Sequence, residues 1–190
     1  MSEDKKPKMT RARALFIRLL ELYGIPDYEL TKLEIQKLAY FLQEAGEPLK
    51  LPYVKHIYGP YAHNLNHVLK DMEGHYIRGY GDGTSKAESA EIYVLPEGRI
   101  AVQSFLENEP QASIRLQQVS DLIFGYETPY GMELLATVHW IATKETNPAQ
   151  NSEQAIVLVQ DWNERKRNLF KHQHIRKAWQ RLVEQNWLVT

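Results

Sequence analysis

Two histidines at helical spacing are the first residues whose types could support chemistry. His63 and His67 lie four positions apart, so a helix through them would place both imidazoles on one face, where they could bind zinc. Residue 64 is asparagine rather than the general-base glutamate of zinc proteases, and no third ligand follows at a matching spacing. We therefore expect a polar helix face and no metal site.

A glycine-rich run at residues 78–83, R-G-Y-G-D-G, superficially resembles a phosphate-binding loop. It leads into the polar segment T-S-K-A-E-S and then a β-type segment, so no helix N-terminus is expected to meet an anion. No serine lies in a G-x-S-x-G motif, and there is no cysteine to act as a nucleophile. The sequence predicts no catalytic residue and no cofactor. An enzyme that acts on a nucleotide through this loop is kept as a third hypothesis.

The elements that would position these residues are mostly helical. Thr31 and Glu34 form a T-x-x-E capping box ahead of an apolar stripe, and Tyr53 to Tyr58 reads as extended, with Pro60 in the first turn of the next helix. Residues 76–80 and 91–95 predict a β-hairpin, and helical periodicity then continues almost to the end. We expect an α+β, mainly α fold: seven or eight helices with a small antiparallel β-hairpin inserted after the third helix.

Size and charge limit the class of protein. The chain has 190 residues, of which 43% are hydrophobic, and no run of 18 apolar positions, so no membrane span is expected. Residues 1–8 are polar and read as a linker or tail without a secretory signal, which predicts a single globular domain over residues 9–190 and a cytoplasmic location. Basic side chains outnumber acidic ones at both ends, whereas acidic ones dominate the middle. This polarity indicates an electrostatic partner or simply solvated helix faces.

The chain is also rich in tyrosine, with eleven in all, several beside glycine, proline or histidine. A tyrosine at an exposed turn offers a stiff ring with a polar tip, which suits a recognition surface. We expect Tyr58 and Tyr76 to be buried, and Tyr61, Tyr80 and Tyr130 to be exposed.

Two motifs carry a family resemblance. Q-K-L-A-Y-F at residues 36–41 is followed by Y-G-P at 58–60, and most of residues 9–145 resembles the C-terminal domain of DarG antitoxins and, more loosely, Panacea or SocA-like antitoxin domains. The resemblance implies a domain that binds and neutralises a DarT-type toxin, which uses NAD to ADP-ribosylate thymidine in single-stranded DNA. It implies no enzymatic activity, because the macrodomain that removes the modification in that family is not in this sequence. It also implies neither a membrane nor a small-molecule substrate.

The resemblance further implies imitation of the toxin's DNA substrate, with carboxylates in place of phosphates and tyrosine rings in place of bases. The candidate toxin-binding residues are Tyr61, His63, Asn64, Asp71, Glu73, Arg78, Tyr80, Asp82, Tyr126, Glu127 and Tyr130. The alternative is a DNA-binding or autoregulatory module that uses the basic terminal helices. Its candidate residues are Arg11, Arg13, Arg18, Lys166, Arg167, Arg176 and Arg181.

Overall fold

The computed structural model describes residues 5–23, 30–81 and 91–189. These ranges contain nine helices and two antiparallel two-stranded sheets, an α+β, mainly α fold as predicted. The elements in chain order are α1 (Arg11–Tyr23), α2 (Lys32–Glu44), β1 (Val54–His56), β2 (Gly59–Tyr61), α3 (Leu65–Met72), β3 (Ile77–Arg78), β4 (Tyr93–Val94), α4 (Pro96–Leu106), α5 (Pro110–Ile123), α6 (Pro129–Thr143), α7 (Ser152–Trp162), α8 (Glu164–Leu169) and α9 (His172–Glu184).

Helix α2 lies at the centre of the core. The predicted capping box is confirmed, because the Glu34 backbone N–H donates to Thr31 Oγ1 and the Thr31 N–H donates to Glu34 Oε2, at 3.3 and 2.8 Å. Every residue from Lys32 to Leu42 is buried, so α2 needs neighbours on all sides, and it packs against α1, α5 and α6. Helix α6 is equally buried through residues 131–139. The pair α2 and α6 therefore provides the frame on which the shorter elements lie.

Both sheets are hairpins. Strands β3 and β4 pair with Ile77 opposite Val94, as predicted, while the segment between them lies outside the described residues. Strands β1 and β2 form a second hairpin before α3, in which Pro60 lies opposite Lys55. The expectation of Pro60 in the first turn of a helix is wrong. Gly59 has a φ of +95°, which reverses the chain into β2.

The C-terminal helices pack on the α2–α6 frame. Helix α9 contacts α6 and α7, α7 also contacts α8, and α6 contacts strand β2 of the first hairpin. The first hairpin thus lies beside the C-terminal helices although about a hundred residues separate them in sequence. Within the described ranges, no helix combines the length and apolar character needed to cross a membrane.

Candidate nucleic-acid interface

The first hairpin presents a row of rings at the surface. The His56 imidazole stacks on Tyr61, with 4.7 Å between ring centroids and 30° between planes, and it also lies 6.5 Å from the Tyr58 ring. The row continues onto α3, since His63 lies 6.4 Å from Tyr61 and 5.8 Å from His67. Strand β1 is exposed throughout. His56 is exposed and Tyr58 and Tyr61 are half-buried, so each ring of the hairpin is at least partly accessible to solvent.

Two cations lie over rings of the same surface. The Arg165 guanidinium carbon is 4.6 Å from the centroid of Tyr58, and Lys55 Nζ is 4.6 Å from the Trp162 ring. We call Lys55, His56, Tyr58, Tyr61, Trp162 and Arg165 the ring-and-cation strip. Such contacts are worth about 0.5–1 kcal/mol at exposed sites, and they also fix each cation beside a stacking surface.

The hairpin turn is fixed from the side of the C-terminal helices. Trp162 Nε1 donates to the His56 carbonyl at 2.9 Å, and Asn163 Nδ2 donates to the Ile57 carbonyl at 3.2 Å. At Gly59 a Cβ would lie 3.1 Å from Thr137 Oγ1, so the turn also lies tightly against α6. The strip is consequently a preformed surface, with its backbone carbonyls already satisfied.

A buried polar cluster lies beneath the strip. Lys37 Nζ donates to the Pro60 carbonyl at 2.7 Å, and Lys166 Nζ donates to Glu133 Oε1 at 2.7 Å, while Arg165 pairs with the same carboxylate. Lys37, Glu133 and Lys166 are each at most 1% exposed. The cluster brings together three cations and one carboxylate. It therefore contributes positive charge beneath the rings of the strip.

Burial weakens the protonated forms of these lysines. Desolvation, with a further contribution from the nearby Lys166 charge, lowers the pKa of Lys37 to about 7. Desolvation outweighs the Glu133 carboxylate and lowers the pKa of Lys166 to about 8. Burial and the charges of the same two lysines also lower the pKa of His56. The site can attract a polyanion, and the anion's charge would in turn favour protonation of the lysines.

A second concave site lies between the α5–α6 turn and α9. This tyrosine pocket has a volume of about 310 Å³ and is lined by Gly125, Tyr126, Thr128, Tyr130, Gly131, Leu134, His174 and Lys177. Tyr130 Oη lies 2.7 Å from His174 Nδ1, and the Tyr130 ring packs edge-on against Phe170. The guanidinium of Arg181 lies over the Tyr126 ring at 5.3 Å and donates to the Phe124 carbonyl at 2.6 Å.

The candidate residues from the sequence fall at different places. Tyr61, His63 and Asn64 lie on or next to the ring-and-cation strip, whereas Tyr126, Glu127 and Tyr130 lie at the tyrosine pocket. Asp71 is exposed on α3 beside Arg13, and Arg78 is exposed on β3. Asp82 lies outside the described residues. The structure thus places these residues in separate groups and not on one continuous surface.

Several of these side chains are engaged inside the chain. Tyr80 is 4% exposed, so the expectation that it is exposed is wrong, and its hydroxyl donates to Asn66 Oδ1. The Glu73 carboxylate accepts from the backbone N–H groups of Gly79 and Tyr80, and Glu127 accepts from the Gly125 N–H. Carboxylates used in this way stabilise turns within the chain.

The basic terminal helices provide little unpaired charge. Arg11 pairs with Glu47 and Glu109, Arg13 with Asp71 and Arg18 with Glu21. Lys166 is buried, Arg176 pairs with Glu153, and Arg181 donates to three backbone carbonyls. Arg167 likewise donates to a backbone carbonyl, that of Gln160, so the alternative surface retains the charges of Arg167 and Arg181, while its other candidates are paired or buried.

Sequence reasoning missed the residues that build the strip from the C-terminal side. The sequence places Trp162, Arg165 and Lys37 in no motif typical of a binding site. Lys37 does lie within the Q-K-L-A-Y-F motif, and a lysine inside an apolar stripe is the one local signal of a buried charge. The contacts of Arg165 with Tyr58 span more than a hundred residues and leave no local pattern.

Rings stacked beside fixed cations define the kind of surface that binds single-stranded nucleic acid, in which bases stack and phosphates meet positive charge. The described residues contain no cluster of three or more metal-ligating side chains that could hold an ion. The fold and the strip therefore describe a helical protein with a candidate nucleic-acid surface.

Comparison with curated proteins finds relatives named DNA ADP-ribosyl glycohydrolase. The Thermus aquaticus protein is 43% identical over 183 residues, which cover 96% of this chain and 49% of that protein. Proteins of the same name from Mycobacterium bovis and Mycobacterium tuberculosis are each 33% identical over 189 residues, covering 93% of this chain and 53% of theirs. The chain spans about half the length of the curated relatives it matches. No protein-family model matches the chain.

These names correct the functional expectations from the sequence. The relatives carry the name of an enzyme that acts on ADP-ribosylated DNA, not that of an antitoxin, so the assignment to an antitoxin domain that neutralises a toxin is wrong. The expectation of no enzymatic activity is wrong for the same reason. So is the expectation of a toxin as partner without a small-molecule substrate, because the names of the relatives point to ADP-ribosylated DNA as the substrate.

Proposed function

We propose that this chain acts in the removal of ADP-ribosyl groups from DNA, and that the ring-and-cation strip holds the DNA strand. The observation that carries the first part is the identity of 33–43% with proteins named for that activity, over almost the whole of this chain. We expect the activity in the cytoplasm, where bacterial DNA is found.

The geometry of the strip supports the second part. A base that stacks on an aromatic side chain gains about 1–3 kcal/mol, and this gain depends little on sequence because every base has a flat face. Stacking requires unpaired bases, so the strip favours a single strand over a duplex. The guanidinium of Arg165 and the ammonium of Lys55 lie over Tyr58 and Trp162, so a phosphate beside a stacked base would meet them in competition with the carboxylates of Glu133 and Glu145.

The reaction itself sets what the strand-holding surface must do. Hydrolysis breaks the glycosidic bond between the ribose and the DNA, water adds its hydroxyl to the ribose carbon, and the DNA atom that leaves takes up a proton. Positioning the strand lowers the barrier because it replaces an encounter of two molecules with a fixed geometry. The strip is well suited to this positioning, since its turn is held by Trp162 and Asn163.

The test uses a short single-stranded oligonucleotide that carries one ADP-ribosyl group. Binding to the purified chain is measured by fluorescence anisotropy, and release of ADP-ribose is measured by chromatography. The variant Arg165→Gln removes a strip cation and is expected to weaken binding about tenfold. Arg18→Gln is the matched control, because Arg18 lies on α1 and pairs with Glu21 away from the strip.

Each outcome decides a part of the proposal. Binding that Arg165→Gln weakens and Arg18→Gln does not supports the strip as the strand-holding surface, and release of ADP-ribose would in addition locate the reaction centre in this chain. If the chain neither binds the modified oligonucleotide nor releases ADP-ribose, the proposed function is overturned. If it binds but both variants are equal to wild type, the strip is not the surface that holds DNA.

A further inference from the structure

The tyrosine pocket is separate from the ring-and-cation strip and has the composition of a nucleotide site. Its walls are the Tyr126 and Tyr130 rings, and its floor includes Leu134, which is 2% exposed. Tyr126 and Tyr130 are both partly accessible. Two phenol rings around an apolar floor suit a flat heterocyclic base. The faces of the base stack on the rings, and an apolar edge of the base loses little hydration free energy against the floor.

One cation at the rim is available to a ligand. Lys177 lines the pocket and is exposed, and it forms no ion pair or hydrogen bond with the described residues. Its neighbours on α9 differ: Arg176 is bound to Glu153 at 2.7 Å, and Arg181 is occupied by the carbonyls at the end of α5. A phosphate beside the pocket would therefore meet the ammonium of Lys177 without competing with an internal carboxylate.

The shape of the pocket is set by contacts that do not involve the ligand. The bond between Tyr130 Oη and His174 Nδ1 ties α6 to α9, and Arg181 holds the Tyr126 ring from the other side. Gly131 approaches the Tyr126 carbonyl so closely that a Cβ there would lie 2.5 Å from the oxygen. The two rings are consequently positioned before any ligand arrives, which reduces the entropy lost on binding.

The volume limits the ligand to about one nucleotide. At about 310 Å³ the pocket lies at the small end of the range of roughly 300–1,000 Å³ for ligand sites. A base with its sugar and one phosphate is a ligand of this size, whereas a run of stacked bases is not. The pocket thus complements the strip, which is an open surface.

We propose that the tyrosine pocket binds one nucleotide, with the base against Tyr126 and Tyr130 and the phosphate on Lys177. This inference rests on the proposed function, because the DNA strand and the ADP-ribosyl group are the two sources of a nucleotide in that reaction. Both sources present the same chemistry, a planar base joined through a sugar to a phosphate.

The experiment measures binding of two probes to the chain, a labelled single-stranded oligothymidylate and free ADP-ribose. Lys177→Glu is expected to weaken binding of the probe that uses the pocket about tenfold, because a favourable charge contact becomes repulsive. Lys50→Glu makes the same charge change at an exposed lysine in the loop before β1 and is expected to change nothing. Tyr126→Leu removes the stacking ring and is expected to weaken binding by a similar factor, with a thermal melt to confirm that the variant is folded.

The pattern over probes and variants separates the two proposals. A loss for the oligonucleotide alone assigns the pocket to the DNA strand, and a loss for ADP-ribose alone assigns it to the ADP-ribosyl group; either supports the inference. If Lys177→Glu and Tyr126→Leu bind both probes as wild type does, while Arg165→Gln still weakens oligonucleotide binding, the pocket inference is overturned and the proposed function stands. If the wild-type chain binds neither probe, both are overturned.

Discussion

Helix α1 and the ring-and-cation strip are both rich in cations, but their cations have different contacts. The three arginines of α1 each face a carboxylate, so their charge is neutralised within the chain. Beside the first hairpin, Lys55 and Arg165 also face carboxylates, those of Glu145 and Glu133, but in addition each lies over an aromatic ring, and the buried cluster below them holds more positive than negative groups. The comparison teaches that the net charge of a segment does not identify a binding surface. What matters is whether a cation, even one with an internal counter-charge, also lies next to a ring surface that a ligand can use.

The largest expected difference between the two regions is in their response to pH. The pKa of Lys37 is about 7 and that of Lys166 about 8 in the folded protein, against roughly 10.4 for an unfolded chain. At a pH between the folded-state and unfolded-state pKa values of these lysines, the unfolded chain binds more protons than the folded chain. The free energy of unfolding therefore rises as the pH rises from 7 towards 10. Three pKa units for one lysine correspond to roughly 4 kcal/mol. The Glu47 and Glu109 carboxylates raise the pKa of Arg11, so Arg11 contributes no slope in this window.

Urea unfolding at a series of pH values between 7 and 10 measures this slope. Lys37→Met removes one of the two titrating groups and is expected to flatten the curve, even though it also removes the hydrogen bond to the Pro60 carbonyl. A wild-type protein whose stability is constant or falls across this range would contradict the lowered lysine pKa values.

The next largest effect is expected at Glu47, which is 2% exposed and pairs with Arg11 of α1 and Arg115 of α5. Its carboxylate accepts from Arg11 at 2.9 and 3.1 Å and from Arg115 at 2.5 Å. Glu47→Gln removes the carboxylate that Arg115 pairs with and leaves Arg11 with Glu109 alone, so it is expected to lower the free energy of unfolding by about 3 kcal/mol. Glu153→Gln is the control, because the Glu153 pair with Arg176 is exposed and should contribute under about 1 kcal/mol. Equal losses in both variants would show that Glu47 is no more important than a surface carboxylate.

A smaller effect is expected in the salt dependence of DNA binding. Lys55→Gln removes a strip cation that lies over Trp162 and also pairs with Glu145, so the slope of the logarithm of the binding constant against the logarithm of salt concentration should decrease in magnitude by up to about one. Arg13→Gln removes a paired cation that lies on α1, away from the strip, and should leave the slope unchanged. Titrations of a single-stranded oligonucleotide at four salt concentrations check both. A change in slope for Arg13→Gln would mean that α1 does contact the strand.

The smallest effect is expected for Arg18→Gln. Arg18 is about half exposed and pairs with Glu21 one helical turn away, an arrangement worth roughly 0.2–0.5 kcal/mol. We expect a change in the free energy of unfolding below about 0.5 kcal/mol. A loss of more than 1 kcal/mol in urea unfolding would place Arg18 among the structural arginines with Arg11.

Local patterns predicted the elements better than they predicted the site. Thr31 and Glu34 signal the start of α2 because a capping box involves only four neighbouring residues, and the β3–β4 hairpin follows from two short β-type segments. In the first hairpin, the extended segment that contains β1 was predicted, but β2 was not. A proline after glycine is compatible either with the start of a helix or with a strand that follows a turn with positive φ. The strip was missed because Trp162 and Arg165 meet the hairpin only through tertiary packing.

The hydrogen bond from Lys37 to the Pro60 carbonyl has a consequence for the heat of complex formation. With a pKa of about 7, the ammonium that supports the hairpin is only partly formed near neutral pH. A polyanion settling on the strip stabilises the charged form, so association should withdraw protons from the medium. The enthalpy measured by calorimetry would then differ between Tris and phosphate at the same pH, in proportion to the protons taken up.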